Sequence, residues 1–477
     1  MELFAHCERE PERLLAVTEA GERLTLGDLN AAAQRFAQAV GGHRLVFLLC
    51  GNTPGSLLGY LSCLRTGAVP LLLDAQLAPA LLGQLLACYH PPFVYVPQDL
   101  PEETRTLLGE YRPVLELAGS ALLRAPAGPE PELHPDLALL LTTSGSTGSA
   151  KLVRISGKNL DANARSIADY LRLTEHERPI TSLAMNYSYG MSILNSHLLV
   201  GAPVVLTSRS VLERPFWDLV VREGVTSLAG VPYTYQMLRR AGMMDMELPS
   251  LQTLTQAGGK LPEALHQLFA AWAAETGRRF YVMYGQTEAS PRMGYLPPER
   301  AVDKCGSMGI PIPGGTFRLL MDDGSVIAEP DCVGELVYQG ENVAMGYAQG
   351  PEELCLGDLW GGELHTGDLA KRDEEGFYYI VGRKSRFMKL YGSRVNLDEV
   401  ERLLTAQFPE AAFACVGLDD SLSAFYEGGS PSLAQGAAEF LQAQLRFPLR
   451  SFHLRPLEAI PRSSAGKPQY AVLQKML

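Results

Sequence analysis

The feature that most restricts the fold is a regular alternation of helical and strand-like segments across residues 23–99. Residues 24–40 carry apolar side chains at helical spacing, and Thr25 precedes them as an N-cap. Residues 44–50 form an apolar run of strand length, and residues 56–74 read as helix, turn and strand. Such alternation is typical of βα units around a largely parallel sheet. The sequence therefore predicts the α/β class.

The chain has 477 residues, which is too long for one compact core and predicts two or three domains. The second half is richer in strand-like segments, such as 333–340 and 376–383, and a short basic cluster follows. We predict a large N-terminal domain over 1–383, built of βα subdomains with mostly parallel sheets and a β-barrel-like part. A hinge at 384–385 would lead to a small mobile α+β domain over 386–477, a size that can fold as a unit.

The charge balance and the cysteines exclude several classes of protein. Lys and Arg number 41 against 53 Asp and Glu, a formal net charge of −12, which gives no overall attraction to nucleic acid or an acidic membrane. The eight cysteines are scattered, so neither a disulfide framework nor a zinc site is indicated. Because no signal peptide or membrane-spanning run is recognisable either, we predict a cytoplasmic protein.

The most unusual segment is 142–151, TTSGSTGSAK, which follows an apolar strand at 138–143. Glycines let the backbone wrap a ligand closely, successive N–H groups bind anions, and Lys151 adds a positive charge suited to phosphate. A flexible surface loop is the competing interpretation. The segment is not a Walker loop, because Leu152 stands where that motif needs Ser or Thr.

Three further segments carry polar residues that suit a nucleotide. At Thr287 and Glu288, after an apolar strand, a hydroxyl could donate to phosphate while the carboxylate holds Mg²⁺; a simple helix start is the alternative. At 365–368, HTGD, an Asp that ends a strand could accept ribose hydroxyls, with Arg383 nearby. At 461–467, PRSSAGK, a lysine on a glycine loop is either a solvated tail residue or a cation brought into a site.

Together these four segments, in this order, resemble the adenylate-forming (AMP-binding) superfamily. That family includes acyl- and aryl-CoA synthetases, luciferase and the adenylation domains of nonribosomal peptide synthetases. The resemblance extends to residues 24–37 and 62–74, to the glycine pair at Gly258 and Gly259, and to residues 373–401. It implies that ATP and a carboxylic acid form an acyl-adenylate with release of pyrophosphate, and that the acyl group then passes to a thiol.

The resemblance also implies a role for each matching residue. The phosphate loop would comprise Thr143, Ser144, Gly145, Ser146, Thr147, Gly148 and Lys151. The rest of the nucleotide site would comprise Gly258, Gly259 and Tyr284 around adenine, Asp368 and Arg383 at the ribose, and Lys389. Catalysis would rest on Thr287 at the α-phosphate, Glu288 at Mg²⁺, and Lys467 between carboxylate and α-phosphate.

Three positions depart from the family pattern. Val282 stands where a polar residue often contacts adenine, and Ser385 stands at the hinge where Asp or Lys is common. Between Cys415 and Leu445 the usual run of strands is replaced by the sequence DDSLSAFYEGGSPSLAQG, so contacts with the thiol acceptor cannot be transferred to this region.

The acid-binding segment of the family corresponds to residues 183–206, which contain no Asp, Glu, Lys or Arg. Amino-acid-activating relatives place an Asp at the position of Ser188, and a buried ammonium without such a partner is costly. This favours a fatty or aryl acid, with Tyr187, Ser188 and Tyr189 lining its site, although core packing would explain the tyrosines equally well. His197 is interpreted as a core residue, because the carboxylate needs no base.

Two acceptors remain open. The expected enzyme is an AMP-forming acid–thiol ligase that uses ATP, Mg²⁺ and CoA; the alternative loads an acyl or amino acid onto a phosphopantetheinyl carrier protein. A non-catalytic nucleotide-binding regulator is disfavoured because Glu288, Asp368 and Lys467 are all present. The partners expected are a small carboxylic acid and, in the alternative, the carrier, with no nucleic acid.

Overall fold

The structure is a computed structural model that describes residues 1–142, 151–390, 393–418, 420–430, 432–462 and 468–477. They form two compact units. The first holds the described residues up to Phe317 together with Tyr338–Leu364, and the second holds Arg318–Val337 and the described residues from His365 onward. The hinge at 384–385 and the boundaries drawn around it stay a prediction.

The helices lie in both units. In the first unit they are α1 Leu26–Val40, α2 Pro54–Thr66, α3 Pro79–Tyr89, α4 Glu102–Leu107, α5 Gly157–Leu171, α6 Ser188–Leu199, α7 Arg214–Arg222, α8 Pro232–Arg240 and α9 Glu263–Glu275. In the second unit they are α10 Leu397–Gln407, α11 Leu433–Leu445 and α12 Tyr470–Gln474.

The strands alternate with these helices. They are β1 Leu14–Thr18, β2 Arg23–Thr25, β3 Leu45–Cys50, β4 Val69–Asp74, β5 Phe93–Pro97, β6 Arg112–Leu117, β7 Ser120–Arg124, β8 Leu137–Thr142, β9 Leu152–Ser156, β10 Val204–Leu206, β11 Ser227–Gly230, β12 Thr253–Gln256, β13 Arg279–Gly285, β14 Arg292–Tyr295, β15 Ile310–Pro311, β16 Gly315–Leu320, β17 Gly334–Gly340, β18 Gly346–Ala348, β19 Glu363–Arg372, β20 Tyr378–Arg383, β21 Phe387–Leu390, β22 Ser393–Asn396, β23 Ala411–Leu418, β24 Ser421–Gly428 and β25 Phe452–Pro456.

The largest sheet has eight strands in the order β18-β9-β8-β4-β3-β5-β7-β6. Its centre is parallel, since β3 pairs in parallel with β4 and β5, and β4 with β8, while the outer strands are antiparallel. The predicted βα alternation is confirmed by α1, β3, α2 and β4. Thr25 caps α1 as predicted: its side chain accepts from the N–H of Asp28, whose carboxylate in turn accepts from the N–H of Thr25.

Strand β3 shows why this sheet is buried on both faces. Leu45, Phe47 and Leu49 enter one hydrophobic cluster, which also contains side chains of α3. Val46, Leu48 and Cys50 enter another, with side chains of α1 and α2. Successive residues of a strand point to opposite faces, and helices cover both faces of this one. The strand is therefore apolar throughout, without the alternation of polarity that marks a half-exposed strand.

Asn52 lies two residues after the end of this strand and connects it to more distant parts of the first unit. Its side-chain amide donates to the carbonyl oxygens of Thr181, Leu183 and Thr207 at 3.2–3.4 Å. Its side-chain oxygen accepts from the N–H of Met185 at 3.2 Å. The segment that leads into α6 is thus held at the end of β3.

A second sheet of the first unit, β11-β12-β13-β14-β15, positions most of the candidate site. Strands β11, β12 and β13 are parallel, so their carboxyl ends lie at the same edge. At that edge the chain turns at Gly230, Gly258 and Gly285. Ligands of parallel α/β sheets bind at such an edge, which makes these turns the expected place for a site. A smaller mixed sheet has the order β10-β1-β2.

A four-stranded sheet has the order β16-β17-β19-β20, with β20 and most of β19 in the second unit. The second unit also contains a β21-β22 hairpin and a mixed sheet β23-β24-β25. The expectation that residues after Cys415 lose their strands was wrong. Ser421–Gly428 is a strand because Leu422, Ala424 and Tyr426 bury in one cluster while Phe425 buries in another. Within the described residues no strand order closes on itself, so the barrel-like part remains a prediction. None of the helices in the described part is long and apolar enough to cross a membrane.

Candidate active site

The structure brings the acid-binding segment and the Thr287 segment together. β13 ends at Gly285, and a short 3₁₀ turn runs over Thr287–Ala289. The hydroxyls of Thr287 and of Ser188, the first residue of α6, lie 3.1 Å apart and share a hydrogen bond. The competing interpretation of Thr287 as the cap of a helix was wrong, because the turn is three residues long and Gln286 precedes it as the cap.

Glu288 lies in a second polar contact of the first unit, with a residue that the sequence did not single out. The hydroxyl of Tyr347 donates to Glu288 Oε1 at 2.7 Å, and Lys151 Nζ lies 5.2 Å from the centre of the Tyr347 ring. Burial, and then the Glu288 charge, raise the pKa of Tyr347, so its proton stays in this bond. The side chain of Tyr347 therefore contacts both Lys151 and Glu288.

The protein groups fit a magnesium ion only in combination with phosphate. In the described part of the chain no three His, Cys, Asp or Glu side chains cluster as a metal site. Mg²⁺ is usually held by one or two carboxylates together with phosphate oxygens and waters. A single carboxylate, Glu288, beside a lysine fits that arrangement.

The glycine pair lies against the acid-binding segment. Gly258 has a φ of +84°, and a Cβ there would lie 2.6 Å from the Tyr187 hydroxyl. The Gln256 amide donates to the carbonyl oxygen of Gly259 at 2.9 Å and fixes the turn. Both the backbone conformation and the close approach require glycine at position 258.

Tyr284 lies near the end of β13, where its hydroxyl accepts from the Gln286 amide at 3.2 Å. Its ring packs edge-on against Phe317, with ring centres 6.3 Å apart. Val282, two residues earlier on the strand, is buried and pairs with Gln256 of β12. Tyr284 is therefore held by side-chain contacts on the same strand that carries Thr287.

Tyr187 and Tyr189 flank Ser188 and pack edge-on with ring centres 6.3 Å apart. The Tyr189 hydroxyl donates to Thr255 Oγ1 at 2.8 Å. The guanidinium of Arg292 lies 4.2 Å from the centre of the Tyr189 ring. Residues 183–206 lack charge, as the sequence states, but β14 supplies a cation to the same region.

Asp368 and Arg383 lie together in the second unit. They pair directly across β19 and β20, and Arg383 Nε lies 3.3 Å from Asp368 Oδ1. Asp368 is 5% exposed. The expectation that Asp368 ends its strand was wrong, because Leu369 to Arg372 continue to pair with β20.

Several predicted site residues lie outside the described residues: Thr143, Ser144, Gly145, Ser146, Thr147, Gly148, Lys467, and the side chain of Lys389. The flanks of the Lys467 segment are described. Arg462 and Pro468 form a β-bridge, and the N–H of Gln469 donates to the carbonyl oxygen of Pro461 at 2.8 Å.

Comparison with known proteins places this geometry in a family. Residues 3–348 match the model of the AMP-binding enzymes, and the chain belongs to this family. The feruloyl-CoA synthase of an Amycolatopsis species is 30% identical over 424 residues, 85% of this chain and 82% of that protein. The 3-hydroxybenzoate–CoA ligase of Aromatoleum sp. (strain CIB) is 25% identical over 97% of this chain and 93% of its own length.

A solved structure agrees with the fold. The o-succinylbenzoate CoA synthetase of Bacillus subtilis, in complex with its acyl-adenylate intermediate, superposes with a TM-score of 0.80. The match covers 99% of this chain and 97% of that one at 23% identity, a level that establishes the fold. The predicted α/β class and the predicted enzyme class, an AMP-forming acid–thiol ligase, are both confirmed.

Sequence reasoning missed Tyr347 and Arg292. Tyr347 lies 59 positions from Glu288, and no pattern connects the two residues. Arg292 left a signal, because it is a lone cation at the start of the short apolar segment RMGY, a strand that the structure buries almost completely. A charged residue in such a segment is unusual enough to mark a site.

Proposed function

We propose that this protein activates an organic acid without an α-ammonium group, aryl or fatty, as its acyl-adenylate, and then transfers the acyl group to CoA. The observation that carries the proposal is the Ser188–Thr287 contact of 3.1 Å, which joins the acid-binding segment to the segment expected at the α-phosphate. ATP and Mg²⁺ are the proposed cosubstrate and metal.

In the proposed nucleotide site, the loop from Thr143 to Gly148 and Lys151 hold the β- and γ-phosphates, while Gly258, Gly259 and Tyr284 line the adenine. Glu288 holds Mg²⁺, with Tyr347 orienting its carboxylate through the 2.7 Å hydrogen bond. Mg²⁺ supplies neutralisation of phosphate charge.

The second unit supplies the ribose site and a catalytic cation in this proposal. Asp368 accepts the ribose hydroxyls, Arg383 pairs with that carboxylate, and Lys389 lies at the same nucleotide. Negative charge grows on the α-phosphate as the carboxylate attacks, and Lys467 stabilises that charge in the transition state. Because Lys467 lies beyond the predicted hinge, rotation of the C-terminal domain withdraws it before the thiol arrives.

Charge favours an acid over an amino acid. An α-ammonium at Ser188 would have no carboxylate there, and Arg292 in the same region adds a positive charge. Burying an ammonium without a partner is costly. A carboxylic acid without an ammonium group avoids that cost.

Two further observations bear on the acceptor and on the location. The named relatives are CoA ligases, which supports CoA over a carrier protein. All eight cysteines are free thiols, as expected in a reducing cytoplasm.

The test is pyrophosphate release with a panel of aryl, fatty and α-amino acids, each with CoA and with a phosphopantetheinylated carrier. We expect AMP and pyrophosphate, turnover with aryl or fatty acids, and acyl-CoA as product. ADP as the product, or exchange with amino acids alone, would contradict the proposal, and acyl-carrier without acyl-CoA would favour the alternative acceptor.

A further inference from the structure

The side chain of Tyr347 contacts two groups of opposite charge in the first unit. Its hydroxyl donates to Glu288 Oε1 at 2.7 Å, and the centre of its ring lies 5.2 Å from Lys151 Nζ. Among the described residues, no lysine or arginine forms an ion pair with Glu288. The carboxylate and the ammonium are therefore connected through a neutral phenol and not by a direct ion pair.

Strand register brings Lys151 to the Tyr347 ring. Strand β18 pairs with β9 in antiparallel fashion, and Tyr347 lies opposite Val153. Lys151 lies two residues before Val153, directly before β9 begins. Residues two apart on an extended chain point to the same face, and a long side chain reaches the diagonal neighbour on the facing strand. The contact is therefore a product of the sheet pairing.

Tyr347 is also held from other directions. Its carbonyl oxygen accepts from Nε of the fully buried Arg154 at 3.0 Å. Its ring packs edge-on against Trp360, with ring centres 4.9 Å apart and an angle of 90° between the planes. A side chain fixed in this way directs its hydroxyl before any ligand binds.

The segment that carries Tyr347 also fixes the turn that carries Glu288. The N–H of Ala344 donates to the carbonyl oxygen of Glu288 at 2.9 Å. The Asn342 amide donates to the carbonyl oxygen of Ala289 at 2.6 Å. Residues 342–347 therefore hold both the backbone of the turn and the Glu288 carboxylate.

The two carboxylate oxygens of Glu288 differ in what they have available. Oε1 accepts the Tyr347 hydrogen bond, whereas no donor among the described residues contacts Oε2. Mg²⁺ requires a near-octahedral shell at short distances and is held by few carboxylate oxygens, whereas the larger Ca²⁺ also accepts both oxygens of one carboxylate. A carboxylate with one oxygen already bonded suits the smaller ion.

We propose that Tyr347 is a positioning residue that presents Glu288 to the metal through a single oxygen and keeps Lys151 available to the phosphates. The hydroxyl occupies Oε1, which leaves Oε2 for Mg²⁺ and disfavours Ca²⁺. The ring holds the Lys151 ammonium, so that this cation does not neutralise the metal ligand. The inference rests on the proposed function, in which Glu288 binds Mg²⁺ and Lys151 binds ATP.

Tyr89 shows how a tyrosine with only a structural role is bonded in the same part of the fold. It is 2% exposed, and its hydroxyl donates to the carbonyl oxygen of Ala348 at 3.3 Å. Ala348 is the next residue after Tyr347 on β18. Tyr89 thus supports the strand through its backbone, whereas the Tyr347 hydroxyl bonds to a carboxylate that has no other donor among the described residues.

The test measures the Kd of α,β-methylene-ATP, which cannot be cleaved at the α-phosphate, by calorimetry in Mg²⁺, in Ca²⁺ and in EDTA. Tyr347→Phe removes the hydroxyl and keeps the ring. We expect the Kd in Mg²⁺ to rise by about 10-fold, the effect of losing an outer partner of a metal ligand. The Kd in Ca²⁺ should stay the same or fall, because Oε1 becomes available, and the Kd in EDTA should not change.

Tyr347→Leu removes the ring as well as the hydroxyl. The Kd in EDTA should then rise by about 3-fold, which is the size of a cation–π contact, because Lys151 loses its aromatic partner and can pair with Glu288. The Kd in Mg²⁺ should rise further than it does in Tyr347→Phe. Comparison of the two variants therefore separates the effect of the hydroxyl from that of the ring.

Two controls isolate the contact with Glu288. Tyr89→Phe loses a hydroxyl bonded to the same strand and should leave all three Kd values unchanged. In a Glu288→Gln background, Tyr347→Phe should not weaken binding in Mg²⁺ any further, because the hydroxyl acts through the carboxylate. Thermal unfolding of each variant identifies any that fail to fold.

The outcomes separate this inference from the proposed function. If the wild type does not bind the analogue in Mg²⁺ and releases no pyrophosphate with any acid, the proposed function fails. If the wild type binds but Tyr347→Phe changes all three Kd values equally, or none of them, the inference is overturned. A further loss of binding in the Glu288→Gln background would also overturn it, because Tyr347 would then act on the strand pairing and not on the carboxylate.

Discussion

Two of the buried arginines, one in each compact unit, differ in how their charge is satisfied. Arg386 is 7% exposed and its Nε pairs with Asp398 Oδ1 at 2.8 Å. It also pairs with Glu401, donates to the carbonyl oxygen of Cys415 at 2.6 Å and lies 3.6 Å from the centre of the Tyr470 ring. Arg292, at 1%, has only neutral partners among the described residues.

The difference separates a buried charge that carboxylates neutralise from one that only neutral groups contact. The two carboxylates at Arg386 neutralise its charge inside the fold, and the network holds α10 near the start of α12 through Tyr470. The desolvation cost of Arg292 is not offset by any carboxylate of the described chain. The positive charge of Arg292 is therefore held by hydrogen bonds to neutral groups alone.

The largest expected difference is in stability. Arg386→Met should lower the free energy of unfolding of the second unit by about 3–5 kcal/mol, because Asp398 and Glu401 lose their cation. Arg292→Met should lower the free energy of unfolding of the first unit by under about 1 kcal/mol. The substitution removes a buried charge that has no carboxylate partner among the described residues, and methionine has a similar volume.

The two units can be followed separately. All three tryptophans, Trp217, Trp272 and Trp360, lie in the first unit, so fluorescence during denaturation follows that unit. Hydrogen exchange at the amides of α10 and β23 follows the second. Equal losses of unfolding free energy in the two variants would mean that pairing with carboxylates makes no difference to how these arginines affect stability.

The next effect is on chemistry in the second unit. Lys467 lies three residues before Tyr470, the aromatic partner of Arg386. Lys467→Ala should slow adenylate formation by about 10²–10³-fold, the effect of losing one group that stabilises developing charge. Thioester formation from supplied acyl-adenylate should survive, because the lysine has by then moved away.

Lys475→Ala is the matched control, because it removes an exposed lysine eight residues further on. Both half-reactions are assayed in both variants. Equal losses in the two steps for Lys467→Ala would rule out the alternation of domains.

A third expected effect is on the pH dependence of stability. Burial lowers the pKa of His197 from 6.5 to about 4, so the unfolded chain binds a proton here at pH values where the folded chain does not. The lowered pKa of His197 contributes about 3 kcal/mol to the free energy of unfolding. This contribution is fully present above pH 6.5 and is lost as the pH falls towards 4.

This effect is measured as the difference between wild type and His197→Gln in tryptophan-detected unfolding at pH 7, 6, 5 and 4. The difference in free energy of unfolding between wild type and His197→Gln should change by most of these 3 kcal/mol, about the size of the His197 contribution, between pH 7 and pH 4. In the Arg292→Met background the change should be smaller, because the arginine's charge also lowers the pKa of His197. A constant difference would show that the pKa of His197 is the same in the folded and unfolded protein.

The smallest effect concerns positioning of the Lys467 segment. Tyr470→Phe removes the 2.9 Å hydrogen bond to Glu401 Oε2 but keeps the ring against Arg386. We expect adenylation to fall about 3- to 10-fold, in line with one hydrogen bond, with thioester formation unchanged. Tyr426→Phe is the control, since the Tyr426 hydroxyl bonds to no described residue. An equal effect on both steps would indicate a general loss of stability.

Local sequence patterns predicted the fold well where one segment contained the whole signal. The cap at Thr25 and the strands around Thr287 could be read because helical spacing and short apolar runs are local properties. The resemblance implied separate roles for Ser188 and Thr287, and their contact across 99 positions appeared only in the structure.

The parts that escaped prediction depend on tertiary contacts. Tyr347 contacts Glu288 only when β18 pairs with β9. Thr253 Oγ1 and His197 Nε2 are buried without a hydrogen-bond partner among the described residues, and this depends on how the surrounding elements pack. Asp368 was misplaced because strand pairing, rather than the local TGD sequence, decides where β19 ends.

Asn52 has a consequence for how the largest sheet reaches its correct alignment. In β3 the side chains on both faces are apolar. A shift of the strand register by one residue would therefore bury only apolar groups and would not be opposed by the cost of burying a polar one. Asn52 breaks that degeneracy: after a slip, Gly51 or Thr53 would stand at its place, and neither can both donate to Thr181, Leu183 and Thr207 and accept from Met185. The hydrogen bonds of this one amide therefore specify the register of the central strand. They do so by contacting the segment that leads into the acid-binding helix.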